Sequence, residues 1–214
     1  VLDMQYMFND ASLFNNSNVP GNGNGVGLTL WNVNNVTTMR YMFNGASSFN
    51  QNILPWNTGS VLDMQNMFSG ASTFQAQIPT DGPIWDVSGV TNMSSMFEDT
   101  TFTQNISSWN TKNVKYMQYM FRRSRFNNSN SPDLLCAWAD NLSEVENMEE
   151  MFSNAYLFGG VNEPPNWQPG GSGAGIDISG IRSWKINTNV NVTNMFAFDG
   201  NSPLLEYPQY SPYQ

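Results

Sequence analysis

Apolar residues recur along the chain in one eight-residue pattern, which begins with a valine and contains two methionines and a phenylalanine. In its second occurrence these residues are Val36, Met39, Met42 and Phe43. Residues at positions i, i+3 and i+7 share one face of a short helix, so each occurrence predicts a helix. Another Phe follows within six residues, and a Trp usually precedes the next valine. The irregular spacing of that second half predicts a turn and then a short strand near the Trp.

The pattern occurs seven times, so the chain is a repeat protein. The seven copies begin at Val1, Val36, Val61, Val90, Val114, Val145 and Val192, and we number them one to seven in that order. Their first methionines, from Met4 to Met195, are separated by 35, 25, 29, 24, 31 and 47 residues. The shortest spacings predict a unit of 24–25 residues, and the longer ones a unit that carries an insertion.

A unit of this length cannot bury enough apolar surface to fold alone, because ordering its backbone costs more than its few apolar side chains return. Stacking of successive units would supply the missing hydrogen bonds and cover both faces. The pattern therefore predicts an α/β repeat solenoid, with one short helix and one short strand in each coil. It occupies residues 1–201 as a single domain of six to seven coils, with loop insertions near 15–30, 75–84, 127–137 and 159–183. Residues 202–214 are expected to form an extended Pro- and Tyr-rich tail.

Polar residues have predicted roles at the ends of these elements. The expected N-caps of the helices are Asn35, Ser60, Asn113 and Asn191. A left-handed residue is needed just past each helix, and the residues at that place are Asp10, Gly45, Gly70, Asp99 and Asn154. The residue after the Trp is expected to bind turn backbone rather than a ligand; it is Asn32, Asn57, Asp86 or Asn110.

The composition is periodic rather than merely unusual. All 13 Met and all 14 Phe fall within the repeat, which assigns them to a core. Charged residues make up only 12 % of the chain, and there is no His and one Cys. These counts exclude His-dependent nucleophiles, Cys-rich metal sites and internal disulfides, and they indicate no cofactor. A net charge of −9 argues against nucleic acid as a partner, and no apolar run is long enough to span a membrane.

Three segments recur in order and carry a family resemblance: V-T-N-M-x-x-M-F, then G-A-S-x-F-N-Q-x-I, then x-W-[ND]. They match best at Val36–Phe49, Val61–Phe74 and Val90–Phe102. The match weakens after Arg122, where FRRSRF replaces F-x-G-A-S-x-F, and again at the last copy. The chain resembles the BspA-like leucine-rich-repeat surface proteins, whose repeat domain was first noted in mycoplasma lipoproteins as one of unknown function. The resemblance implies a leucine-rich-repeat-like fold, no catalytic residues, and a location outside the cell or on a cell or virion surface.

The insertions enter at the same point of the unit, between the second Phe and the Trp, so they are expected along one edge. Trp167 is the one Trp outside the repeat frame, and it is either a binding hot spot or an anchor for its loop. The tail contributes Tyr207, Tyr210 and Tyr213 as further candidate partner-binding residues. The chain opens within a copy and has no initiator Met, which indicates a processed or incompletely known sequence.

Charges are concentrated in two neighbouring copies. Copy five holds Lys112, Lys115, Arg122, Arg123 and Arg125, and copy six holds Asp140, Glu144, Glu146, Glu149 and Glu150. Alignment of the copies places Lys115 beside Glu146, which predicts an ion pair that fixes their register. The alternatives are two solvated faces, or a basic site for an anionic ligand.

Other candidate chemistry is weak. Sequons for glycosylation occur at about the frequency expected by chance, and the candidates are Asn15, Asn92, Asn105, Asn127 and Asn141. Two further sequons, at Asn35 and Asn191, compete with the predicted caps. Glu98 and Asp99 are expected on the surface, and Cys136 is expected in buried packing.

The sequence therefore predicts a non-enzymatic surface or extracellular scaffold that mediates protein or glycan binding, or adhesion. The alternative is a structural subunit of a filament, virion or large complex, assembled through its ends and its tail, with copies of itself among the candidate partners. An enzyme that acts on polysaccharides would need a carboxylate pair in a groove, for which the sequence holds no specific signal.

Overall fold

The computed structural model describes residues 1–15, 27–75, 85–126, 132–155 and 184–197. Within these ranges the regular elements are two 3-10 helices, Leu28–Leu30 and Pro132–Trp138, and there is no α-helix and no β-strand. The prediction of an α/β solenoid, leucine-rich-repeat-like with a helix and a strand in each coil, is therefore wrong. Most of the described chain consists of tight turns and irregular backbone. Most of the predicted insertions, and the whole tail, lie outside the described residues.

Alternate backbone N–H groups of a copy point in different directions. In copy two the N–H groups of Met39 and Tyr41 donate to the carbonyls of Asp63 and Gln65 in copy three, both at 2.9 Å. The N–H of Met42 instead donates to the carbonyl of Met39 at 3.2 Å and closes a turn. Both sets of bonds use groups that an α-helix would direct four residues back along the same chain. The spacing of three residues between apolar positions thus belongs to a turn series, not to a helix.

Left-handed backbone recurs at two positions and excludes a helix there. The first position is two residues after the first methionine, or after Val192 in copy seven: Tyr6, Tyr41, Asn66, Ser95, Tyr119, Glu150 and Asn194, with φ between 49° and 61°. The second is the predicted left-handed position, confirmed at Asp10, Gly45, Gly70, Asp99 and Asn154. Arg123, at the aligned position of copy five, has the same conformation with φ of 53°, although it was not among the predicted residues.

Single parallel bridges join the copies at the residue before the first methionine. They connect, in order, Asp3, Thr38, Asp63, Asn92, Tyr116, Asn147 and Asn191. The predicted strand near the Trp is therefore misplaced as well as too long. Most bridge residues also accept a hydrogen bond from the backbone N–H two residues later, as Asp63 does from Gln65 at 2.9 Å. These Asx turns start the left-handed segment.

Copy seven has a different alignment from the one predicted. Asn191 lies in the bridge with Asn147, and the N–H of Phe152 donates to the carbonyl of Met195 at 2.8 Å. Val192 therefore occupies the place of a first methionine, and Asn191 is not a helix cap. This register sets the ring of Phe196 on that of Phe152, with 5.5 Å between centroids. Met195 and Phe196 therefore occupy the places of the second methionine and the first phenylalanine of the other copies.

The core confirms the assignment of Met and Phe to the interior. The first Phe rings of successive copies stack at 5.3–5.8 Å between centroids: Phe8, Phe43, Phe68, Phe97, Phe121, Phe152 and Phe196. Every methionine is buried except Met7. In the described residues no helix has the length and hydrophobicity that a membrane span requires.

Asn and Asp residues hold the turns between the core positions. The residue after the Trp accepts the backbone N–H two positions later in four copies, as predicted: Asn32, Asn57, Asp86 and Asn110. Asn52 and Asn105 do the same for Leu54 and Ser107. The 31 Asn of the chain are therefore explained in part by recurrent Asx turns.

Candidate binding face

One surface of the molecule is built from equivalent residues of all seven copies. The two residues after the first methionine, or after Val192, lie beside their equivalents in the next copy, and in copies two to six they lie between buried methionines. We call this surface the ladder face. It consists of Gln5, Tyr6, Arg40, Tyr41, Gln65, Asn66, Ser94, Ser95, Gln118, Tyr119, Glu149, Glu150, Thr193 and Asn194.

Local backbone geometry creates this face. The Asx turn at the bridge residue reverses the chain, and the left-handed residue then directs its side chain away from the core. In copy two Met39 and Met42, on either side, are fully buried, whereas Arg40 and Tyr41 are partly exposed. Core and face are therefore set by position within the turn and not by helical periodicity.

The first two copies form an aromatic zone on this face. The rings of Tyr6 and Tyr41 stack at 4.9 Å between centroids, with 9° between their planes. The guanidinium of Arg40 lies 5.9 Å from the centroid of Tyr41, and its Nε lies 3.5 Å from Oδ2 of Asp63. Burial raises the pKa of Asp63, while the N–H of Gln65 and the charge of Arg40 oppose that rise. The zone presents an aromatic pair beside a cation.

The face is most buried in copy four, where its two residues are serines. Ser94 is 2 % exposed and Ser95 is 7 % exposed. Their equivalents in the adjoining copies are the longer side chains Gln65, Asn66, Gln118 and Tyr119. Oε1 of Gln118 is buried and has no hydrogen-bond partner among the described residues.

Copies four to six form a charged zone that we call the arginine cluster, made of Glu98, Asp99, Arg122, Arg123 and Glu150. Arg122 donates to Oε1 of Glu98 through Nε at 2.8 Å and contacts Oε2 of Glu150 through Nη1 at 3.1 Å. Arg123 binds both carboxylate oxygens of Asp99, at 2.7 and 2.6 Å, and Oε1 of Glu98 at 3.0 Å. A carboxylate in copy four thus binds two cations from copy five.

The electrostatics of the cluster follow from these contacts. The hydrogen bond to Asp99 raises the pKa of Arg123 further above its ordinary value, so that its charge is permanent. The guanidinium of Arg122 also lies 4.6 Å from the ring centroid of Tyr119. Burial raises the pKa of Tyr119, aided by the nearby charges of Glu149 and Glu150. Both arginines are bound to carboxylates, which argues against their use as an anion site.

The structure brings together the two residues of the predicted ion pair. Nζ of Lys115 lies 3.1 Å from Oε1 of Glu146, and the hydroxyl of Tyr116 donates to Oε2 of the same carboxylate at 3.1 Å. The side chains of Lys115 and Glu146 are 45 % and 51 % exposed. Their influence on register stays a prediction, because geometry alone does not measure it.

The sequons coincide in part with the Asx turns. Oδ1 of Asn92 accepts from the N–H and the hydroxyl of Ser94, and Oδ1 of Asn105 accepts in the same way from Ser107. The Asn-x-Ser pattern at these two places therefore has a structural origin. Asn15 and Asn141 are partly exposed. Asn127 lies outside the described residues.

The other candidate partner-binding residues cannot be placed. Trp167 and the tail residues Tyr207, Tyr210 and Tyr213 all lie outside the described residues. The ladder face was not predicted as a site, because the sequence pattern assigned its residues to the outer side of a helix. The usable signal was the change of residue type at these positions from copy to copy while the core residues stay the same.

Two predictions about single residues are wrong. Cys136 is exposed on the 3-10 helix Pro132–Trp138, where a buried thiol was expected. Glu98 is 8 % exposed, because the arginines of copy five cover it, although Asp99 is on the surface as expected. In the described ranges no group of three His, Cys, Asp or Glu side chains is arranged to hold a metal ion.

A family model described as "Mycoplasma protein of unknown function, DUF285" matches two overlapping ranges, residues 3–133 and 80–168, which together cover most of the chain. No curated protein and no solved structure matches the chain.

Proposed function

The chain belongs to the DUF285 family of Mycoplasma proteins of unknown function, and from that premise we propose that it is a non-enzymatic surface scaffold whose ladder face binds protein or glycan. Such a scaffold would serve adhesion or protein binding outside the cell. The extracellular or cell-surface location is part of the proposal and rests on the resemblance to BspA-like surface proteins.

The observation that carries the proposal is the contrast between the ladder face and the core beneath it. Within the turns, the core positions hold Met and Phe in nearly every copy. The neighbouring face positions change from Arg40 and Tyr41 to Ser94 and Ser95 and then to Glu149 and Glu150. A scaffold that repeats its interior and varies its outer residues has the organisation expected of a binding surface.

The chemistry of the face favours a protein partner over a glycan. Tyrosine and arginine are enriched in protein interfaces because they offer large contact areas and directed hydrogen bonds. Tyr6 is 54 % exposed beside Tyr41 and Arg40, and acidic side chains follow at the other end of the face. A complementary partner would place apolar or acidic groups against the tyrosines and Arg40, and basic groups against the acidic side chains.

A binding role is also supported by how the carboxylates of the described residues are used. Asp3, Asp63 and Asp86 accept backbone N–H groups in Asx turns. Glu98, Asp99, Glu146 and Glu150 bind cations of neighbouring copies. These carboxylates have structural partners, whereas a glycosidase pair would need free access to substrate.

The experiment measures binding of the fluorescently labelled chain to intact cultured animal cells. We expect saturable binding that drops by about tenfold in Tyr6→Ser with Tyr41→Ser, because interface tyrosines are frequent hot spots. Treatment of the cells with protease or with glycosidases beforehand separates a protein partner from a glycan.

The matched control replaces two exposed apolar residues that lie off the face, Leu13→Ser with Leu30→Ser. This control should bind as the parent chain does. Equal loss in the two variants would show that binding depends on exposed apolar area in general, and unchanged binding in the tyrosine variant would reject the ladder face as the site.

A further inference from the structure

The interfaces between successive copies are almost interchangeable, so the core alone does not determine which copies lie next to each other. The N–H of Met64 donates to the carbonyl of Asn92 in copy four, and the N–H of Met117 donates to Asn147 in copy six, both at 2.9 Å. The apolar residues at these interfaces are also of the same types. Neither the backbone bonds nor the core therefore distinguishes copy five from copy six as the neighbour of copy four.

The residues of the arginine cluster, in contrast, differ from copy to copy. Copies two and three have Asn44-Gly45 and Ser69-Gly70 where copy five has Arg122 and Arg123. Arg123 adopts the left-handed conformation that glycine adopts in those copies, with φ of 53°. A non-glycine residue in this conformation is unfavourable unless its surroundings compensate for it.

The compensation comes from both neighbouring copies. In copy four, Asp99 binds Arg123, and Glu98, whose side chain is only 10 % exposed, binds both arginines. In copy six, Oε2 of Glu150 lies 3.1 Å from Nη1 of Arg122. The two arginines are therefore neutralised by carboxylates of both copy four and copy six.

We propose that the arginine cluster is a register device that fixes the order of copies four, five and six. If copy six lay directly on copy four, Ser153 and Asn154 would occupy the places of the two arginines. Glu98 and Asp99 would then lose their cations, and Arg122 and Arg123 would lose the carboxylates that neutralise them, so the charge-assisted hydrogen bonds of the cluster would be lost. With the order of the copies fixed, the varied residues of the ladder face are always arranged in the same order along the surface.

The test detects the wrong order directly by a disulfide. Thr91 and Glu146 occupy the same column of copies four and six, with Lys115 between them: the N–H of Lys115 donates to Thr91 and the N–H of Glu146 to Lys115, both at 2.8 Å. Neighbouring copies joined in this way are about 5 Å apart. Cysteines two copies apart, at about 10 Å, exceed the reach of a disulfide, whereas adjacent copies fall within it.

The reporter is the full chain with Cys136→Ser, Thr91→Cys and Glu146→Cys, refolded from urea at low concentration and then oxidised. We expect little intramolecular crosslink in the reporter. Adding Arg122→Gln and Arg123→Gln should raise the crosslinked fraction by about tenfold, because ion pairs with Glu98 and Asp99 no longer select copy five. A crosslinked fraction that stays at the reporter's level in the folded double variant overturns the proposal.

Two controls complete the design. Lys185→Gln removes an exposed ion pair with Asp140 and should leave the crosslinked fraction unchanged. Thr91→Cys with Lys115→Cys reports the native order and should crosslink whenever the native order forms. If the double variant does not regain its near-UV circular dichroism, Arg122→Gln alone keeps the fork between Arg123 and Asp99 and carries the same expectation of increase or rejection.

Discussion

Gly45 and Asp10 approach so closely across adjoining copies that a side chain at Gly45 would force the carboxylate of Asp10 to move. A Cβ built on Gly45 would lie 2.5 Å from Oδ1 of Asp10 and 3.3 Å from its Cα. Both residues have left-handed backbone, with φ of 67° and 57°. The equivalent Cβ on Gly70 would lie 3.5 Å from Gly45, an ordinary contact.

This difference predicts unequal costs for two alanine substitutions. Gly70→Ala should destabilise the chain by about 1 kcal/mol, which is the cost of a left-handed alanine. Gly45→Ala should cost more, because it adds a collision with Asp10. Urea unfolding of both variants and of Gly45→Ala with Asp10→Ala measures the difference. The additional Asp10→Ala should restore part of the lost stability, and equal costs for the two glycines would contradict the described packing.

Two aspartates in Asx turns at different positions of the repeat should respond oppositely to replacement by Asn. Burial raises the pKa of Asp63, so its charged form is disfavoured in the folded chain. Asp63→Asn keeps the acceptor for Gln65 and should raise the unfolding midpoint at neutral pH by about 1–2 °C. The gain should vanish as the pH falls through the raised pKa towards 3.8, where the wild-type carboxyl is protonated.

Asp86 is the matched comparison. Hydrogen bonds from the side chain and the backbone of Ser88 lower the pKa of Asp86, so its charged form is favoured. At pH values above 3.8, Asp86→Asn should slightly lower the midpoint of thermal unfolding. The difference from the wild-type chain should disappear as the pH falls through the lowered pKa. Thermal unfolding between pH 3 and 7 checks both signs, and shifts of the same sign at neutral pH would contradict the assigned causes.

The buried tryptophans should also differ in their contributions. Nε1 of Trp138 donates to the carbonyl of Ile106 at 3.2 Å, and the indoles of Trp56, Trp85 and Trp184 make equivalent bonds. Nε1 of Trp109 is buried without a partner among the described residues. Trp138→Phe should therefore destabilise the chain by about 1 kcal/mol more than Trp109→Phe. Chemical denaturation of the two variants measures the difference, and a larger loss at Trp109 would count against it.

The pair of Lys115 and Glu146 should be sensitive to both pH and salt. Contact with Lys115 and Tyr116 lowers the pKa of Glu146, and contact with Glu146 raises the pKa of Lys115. The coupling should therefore be complete between about pH 5 and 10, decline at lower pH as Glu146 is protonated, and decline above 10.5 as Lys115 loses its proton. A double-mutant cycle at low and high salt measures it, and a coupling that salt does not reduce would contradict a solvent-screened pair.

Much of the interior could be predicted from the sequence, because repeated residue types report which positions are buried. The Met and Phe core, the left-handed positions at Gly45 and Gly70, and the turn role of Asn57 were all predicted. The helix was not excluded, because Val36, Met39 and Phe43 have a spacing that suits both a helix and a series of turns. The arginine cluster was missed, since its members come from three copies and only their juxtaposition gives Glu98 its burial.

The sequence by itself determined the number of copies, their apolar core and the absence of His-dependent chemistry, because these depend only on which residues recur. Tertiary structure decided the backbone and the face. An isolated segment of eight residues has no stable helix, and the carbonyls of the next copy offer better partners to the N–H groups of Met39 and Tyr41 than their own chain does. That choice turns Arg40 and Tyr41 outward beside Tyr6, and so creates a surface that no single copy contains.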